Sequence, residues 1–243
     1  MRVFEEACHY PEFGTLTIRD TNTGEEDEGP FEQWGLGGQP CGTVARAGYG
    51  WLEGSAGDGP LVVRLESHDV EPPAESADWL DVLETPYRSR TGVVGLTTVT
   101  CGPGGEDLRL GAVGDYRVRV AVKPLPASSD GPETLWALRF WPVAAPGPPR
   151  WLRRGRAAVG PGSTGREVLA DSPAAEHNRY TSFASDLLAV ALWGGTEQTA
   201  TALAHRTLAP EADVRTTLDW AHRTGLLTVE GVLTGKFTMT LPG

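Results

Sequence analysis

The chain has 243 residues, a net charge of −11 and eight tryptophans among 40% apolar residues, enough for one large core or two small ones. No run approaches the roughly 20 apolar residues of a membrane span, and Glu5 and Glu6 stand where a secretion signal needs cations. A soluble, cytoplasmic protein with no membrane partner is expected, and Cys8, Cys41 and Cys101 form no CxxC pair that would indicate a zinc site or disulfide framework.

Residues 1–143 read as β structure. Strand-like runs fall at 13–20, 43–53, 61–67, 80–84, 93–100, 115–122 and 134–142. In Tyr116-Arg117-Val118-Arg119-Val120 the apolar residues alternate, as in a half-buried strand. Turn chemistry separates these runs, as in Gly57-Asp58-Gly59-Pro60 and Ser128-Ser129-Asp130-Gly131-Pro132. The spacing predicts an antiparallel β-sandwich.

This region also carries most of the acid, with a net −12 over residues 1–149. Glu25, Glu26, Asp27 and Glu28 form a compact acidic loop without the ligand spacing of a calcium site. Trp34 follows in a glycine-rich loop. Together they form the expected surface for a basic protein partner. Four short words lie in strand order: Thr43-Val44-Ala45-Arg46-Ala47-Gly48-Tyr49-Gly50, Leu61-Val62-Val63-Arg64-Leu65, Thr85-Pro86-Tyr87 and Gly114-Asp115-Tyr116-Arg117-Val118. Through them residues 40–143 are similar to the competence protein J family, small β proteins that inhibit a DNA-entry nuclease. The resemblance implies an acidic sandwich that docks on a basic protein surface.

Residues 144–165 are expected to be a connecting segment, since Pro146, Pro148 and Pro149 fix φ and remove donors. Within it Arg150, Arg153, Arg154 and Arg156 surround Trp151. This cluster either grips phosphates or pairs with the acidic β region.

Residues 166–243 show helical periodicity at 182–193, 198–207 and from Pro210 to Thr224, then alternating runs at 226–230 and 236–241. From Thr199 to Arg206, Val214 to Leu218 and Gly225 to Val229 the order resembles bacterial winged helix-turn-helix regulators. The fold class expected is therefore α+β, with an N-terminal antiparallel β-sandwich followed by a C-terminal winged-helix domain. The resemblance implies Arg215 and Thr216 as base-reading residues, with Arg206, Arg223 and Lys236 on phosphates. Glu211 and Asp213 head the same helix and oppose a polyanion, while Val232 and Leu233 form an apolar wing tip suited to a protein.

Catalytic signals are missing from the sequence. Five histidines show no HExxH spacing, and no GxSxG elbow occurs. Gly160 to Glu167 departs from a P-loop, with Arg166 and Glu167 where Lys and a hydroxyl belong. No metal, cofactor or enzymatic activity is expected. The reading is an interaction or regulatory protein whose acidic β region binds a protein partner and whose C-terminal region either docks another protein or mediates homodimerisation. A DNA-binding regulator with a β sensor domain is the alternative, and an enzyme with a dispersed site the third.

Overall fold

The computed structural model describes residues 1–12, 14–21, 45–56, 59–98, 102–103, 107–126, 131–155, 187, 197–225 and 227–240. In chain order the strands are β1 (Arg2–His9), β2 (Thr15–Asp20), β3 (Ala45–Ala47), β4 (Trp51–Ser55), β5 (Leu61–Ser67), β6 (Asp81–Ser89), β7 (Val93–Thr98), β8 (Gly102–Pro103), β9 (Leu108–Arg109), β10 (Gly114–Pro124), β11 (Thr134–Pro142) and β12 (Arg150–Arg154). There follow β13 (Glu197–Thr199), helices α1 (Ala200–Thr207) and α2 (Glu211–Arg223), β14 (Thr228–Gly231) and β15 (Lys236–Thr240).

The strands make three sheets: β1-β5-β11-β10-β6-β12, then β3-β4-β2-β7-β8 with β9 also on β7, and finally β13-β15-β14. Alternation in β10 explains how the first two sheets share a core. Tyr116, Val118, Val120 and Val122 turn inward and are buried with Leu83, Leu138 and Phe140 of neighbouring strands. Leu16, Ile18, Leu52, Val94 and Leu96 of the second sheet belong to the same cluster. Each such side chain contributes about 2 kcal/mol by leaving water. The inner face is pinned by Asp20, which accepts from the Tyr87 hydroxyl at 2.6 Å, from Ser89 and from the Thr91 amide. Burial first, then the Asp20 charge, pushes the Tyr87 phenol well above its ordinary value.

Three expectations are corrected. The first sheet is mixed, because β5 and β11 run parallel from Thr134 opposite Leu61 to Phe140 opposite Ser67. After β5 the chain runs through β6 of the same sheet, passes to the second sheet as β7–β9 and comes back through β10, so that β11 starts at the same end as β5, where the Glu133 amide donates to the Pro60 carbonyl at 3.0 Å. Second, Arg150–Arg154 is an edge strand antiparallel to β6. The Trp151 side chain is buried in the shared core, and that burial holds the segment on the sheet with a bulge between Trp151 and Arg153.

Third, the α+β class with a C-terminal winged helix is overturned. The described chain is predominantly strand in three sheets with two complete helices among the described residues; of the helix expected at 182–193 only Leu187 is described, and it is helical. Residues 197–199 are a strand on β15, where a helix starting near Gln198 was expected. Thr199 remains extended and caps α1 by accepting from the Ala202 amide. Trp51 of β4 is buried among Leu187, Leu203, Leu218 and Phe237, so the C-terminal elements are packed onto the second sheet. Gly48 permits this packing, since a Cβ there would lie 2.4 Å from the Trp51 indole. No helix of the described residues is long and apolar enough to cross a membrane.

Candidate anion-binding pocket

The outward face of the first sheet is charged because it alternates with the apolar inner face. Adjacent strands place Arg150, Glu84, Arg119, Arg139 and Glu66 side by side, from β12 across β6, β10 and β11 to β5. Residues 71–79 cover part of this row. Arg119 is almost fully buried and uses every donor it has. Its Nε and Nη2 bind Glu84 Oε1 at 3.0 and 2.8 Å, and Nη1 donates to the Pro72 and Pro73 carbonyls at 3.0 and 2.7 Å. A further Nη2 contact reaches Glu71 Oε1 at 2.9 Å. The guanidinium also lies 5.3 Å from the Trp141 ring centre.

Glu84 is the hub, 1% exposed. Its Oε2 takes Arg150 through Nε at 2.9 Å and Nη2 at 2.8 Å, and Arg117 Nε at 3.4 Å. Burial alone would raise this carboxyl. Hydrogen bonds from Arg119 and Arg150, with their charges, outweigh that and hold it below the ordinary glutamate value. Arg117 uses four of its five donors, with Nη1 on the Gly147 carbonyl and Nη2 on the Pro148 carbonyl and the backbone of Glu84 beside the Nε bond. Burial lowers the Arg117 pKa; Glu84 opposes this, while the charges of Arg150 and Arg206 lower it further.

Beside this hub lies a pocket of about 330 Å³, with Arg117, Trp141, Val143 and Pro148 in its wall and Glu71, Glu84, Arg150 and Arg206 at its charged end. Arg206 comes from the last turn of α1. Four guanidinium groups, those of Arg117, Arg119, Arg150 and Arg206, thus meet two carboxylates, Glu71 and Glu84. In the neighbouring group Arg139 and Arg64 meet Glu66, Arg139 and Arg119 meet Glu75, and Arg64 also reaches Glu5. Positive charge therefore accumulates at the pocket of an acidic chain.

The other residues singled out from the sequence do not gather there. Arg215 pairs with Glu211, Arg223 with Asp219 at 3.0 Å, and Lys236 with Glu197, each on its own helix or adjacent strand. The hydrogen bond from Arg215, then that from Thr201, lowers the Glu211 carboxyl. The Thr216 hydroxyl bonds the Ala212 carbonyl at 2.9 Å. Arg153 donates to the Ser76 and Trp79 carbonyls, and Arg154 stacks 3.8 Å from the Trp151 ring centre. Of the proposed nucleic-acid contacts among the described residues, Arg150 and Arg206 line the pocket and the others do not. Val232 is exposed and Leu233 packs partly on the C-terminal core. Glu25, Glu26, Asp27, Glu28, Trp34 and Arg156 lie outside the described residues.

Glu84, Arg117, Arg119 and Trp141 went unselected in the sequence reading. The alternation of β10 did place Arg117 and Arg119 on one face; an arginine pair opposite the apolar side of a strand was the available signal. No sequence pattern linked them to Glu84 or Arg206.

No protein-family model matches the chain, and no curated protein does. Among solved structures it is similar to one described as crocagin biosynthetic gene J, at 14% identity and a TM-score of 0.34, over 58% of this chain and 94% of that one. A likeness at that level carries no weight for fold or function.

Proposed function

We propose that this chain is a recognition protein rather than an enzyme, and that it binds an anionic group in the pocket beside Glu84. The observation that carries the reading is the excess of guanidinium over carboxylate at this one place in a chain of net charge −11. Low-dielectric walls from Trp141, Val143 and Pro148 strengthen the attraction for an anion over its value in water.

Binding is favoured over catalysis by the ionisation of the lining groups. Glu84 is held deprotonated and already accepts from three arginines, so it has no spare capacity to accept a substrate proton. Arginine does not give up its proton near neutral pH. Glu84 and the lining arginines therefore offer charge and shape, and the remaining lining carboxylate, Glu71, is engaged by Arg119.

Calorimetric titration of the full chain with citrate, inorganic phosphate and neutral or cationic molecules of similar size tests this. The anions are expected to bind and to raise the melting temperature, and Arg150→Ala to weaken them about tenfold through loss of a charge-assisted contact. Anions that do no more than chloride at equal ionic strength would defeat the proposal.

A further inference from the structure

The hydrogen-bond inventory narrows the ligand class. Arg119 spends all five of its donors, and Arg117 four of its five, on Glu84, Glu71 and backbone carbonyls. Arg150 gives one edge, Nε and Nη2, to Glu84 and keeps Nη1, on a side chain 53% exposed. No hydrogen bond or ion pair is formed by Arg206 among the described residues, and its charge acts against that of Arg117. The donors left for the pocket are thus the outer edge of Arg150, the fork of Arg206 and one Nη1 hydrogen of Arg117. Charge is counted just as directly. Among the described residues, Arg117, Arg150 and Arg206 in the lining and Arg119 behind it stand against Glu71 and Glu84, four cations to two anions, while Arg119 also approaches Glu75 at 3.9 Å and Arg64 is shared between Glu66 and Glu5.

We infer that the ligand is a small doubly charged anion, a dicarboxylate or a phosphate monoester, bridging Arg206 of α1 and Arg150 of β12. This rests on the anion-binding reading of the pocket and adds the charge class and the residue that selects it. Planar or tetrahedral oxyanions accept two parallel bonds from a guanidinium fork, which a compact ammonium cannot offer. Arg206 is the selecting group because a singly charged anion is already satisfied by Arg150, whereas the second charge requires the second cation. The carbonyls at the end of α1 carry partial negative charge, which favours the Arg206 cation there, so an anion is drawn by the arginine and not by the helix. A bridging anion also offsets the repulsion among Arg117, Arg150 and Arg206, and so tightens α1 against the first sheet.

The experiment titrates the full chain at pH 8 and constant ionic strength with inorganic phosphate, succinate and acetate, for wild type, Arg206→Ala, Arg206→Lys and a remote control, Arg223→Ala. Hydrogen exchange of the α1 amides is followed in parallel. In the wild type at least one dianion should bind about tenfold more tightly than acetate and slow α1 exchange. Binding of phosphate but not succinate identifies a phosphate ester, and the reverse a dicarboxylate; either outcome supports the inference. Arg206→Ala should abolish the dianion preference and the α1 protection, Arg206→Lys should restore part of the affinity, and Arg223→Ala should match wild type. Dianion binding that survives Arg206→Ala, or acetate binding as well as the dianions, overturns the inference while leaving the pocket reading intact. No binding of any probe overturns both.

Discussion

The charged row across the first sheet and the surface of α2 use the same residue types with opposite consequences. On α2, Arg223 and Asp219 are about 60% exposed and pair along one helix, as Arg215 does with Glu211. Water competes for both partners, so such pairs add little. Across the sheet, Glu84 and Arg119 are 1% and 2% exposed, and each charge depends on the other. The lesson is that a cation counted in a sequence has no fixed meaning. On α2 it is neutralised locally, while beside Glu84 it contributes to a field that reaches a pocket.

The comparison breaks first at Glu84. Glu84→Gln leaves Arg117, Arg119 and Arg150 crowded without their shared counter-ion, and urea denaturation should show a loss of about 3–5 kcal/mol. A loss as small as that of a surface pair would mean the row is not an interdependent unit.

Acid unfolding sharpens the contrast. Glu84 has a folded value below its ordinary 4.5, so below that point the unfolded chain binds the proton more readily than the native one. Its stabilisation is complete above about pH 4.5 and is lost as pH falls through the lowered folded value. Glu66 is also lowered, by His68, Arg139 and Arg64 against the opposing effect of burial, and acts in the same direction. Melts between pH 7 and 3 should steepen below pH 4.5 in the wild type, and less so in Glu84→Gln.

Tyr87→Phe probes a third setting, a buried neutral donor on a carboxylate. It removes the 2.6 Å bond to Asp20 while Ser89 and two backbone amides remain. The expected cost is about 1–2 kcal/mol in the same denaturation assay. The smallest effect is expected for Arg223→Ala, whose midpoint in urea should coincide with wild type. A clear shift there would erase the distinction between the two regions.

Parts of this were legible from residues alone. The runs at 61–67 and 134–142 match β5 and β11 to the residue, because alternating apolar side chains bounded by Gly-Pro and Asp-Gly-Pro turns admit few other conformations. Strand β12 was missed because its sequence, Arg-Trp-Leu-Arg-Arg, looks like a solvated joint until β6 offers an open edge and the core accommodates Trp151. The strand character of Glu197–Thr199 was missed for a similar reason. Its pairing partner, Lys236–Thr240, lies some forty residues ahead.

By itself the sequence determined where the main strands run and which of their faces avoid water, since a period of two is a local property. It also fixed the acidic balance of the chain. Only the tertiary structure decided that β5 and β11 are parallel, that the C-terminal elements pack on Trp51, and that Arg150 and Arg206 share one cavity with Glu84. Those outcomes depend on which edges remain open and which charges are desolvated together, and neither quantity exists until distant segments meet.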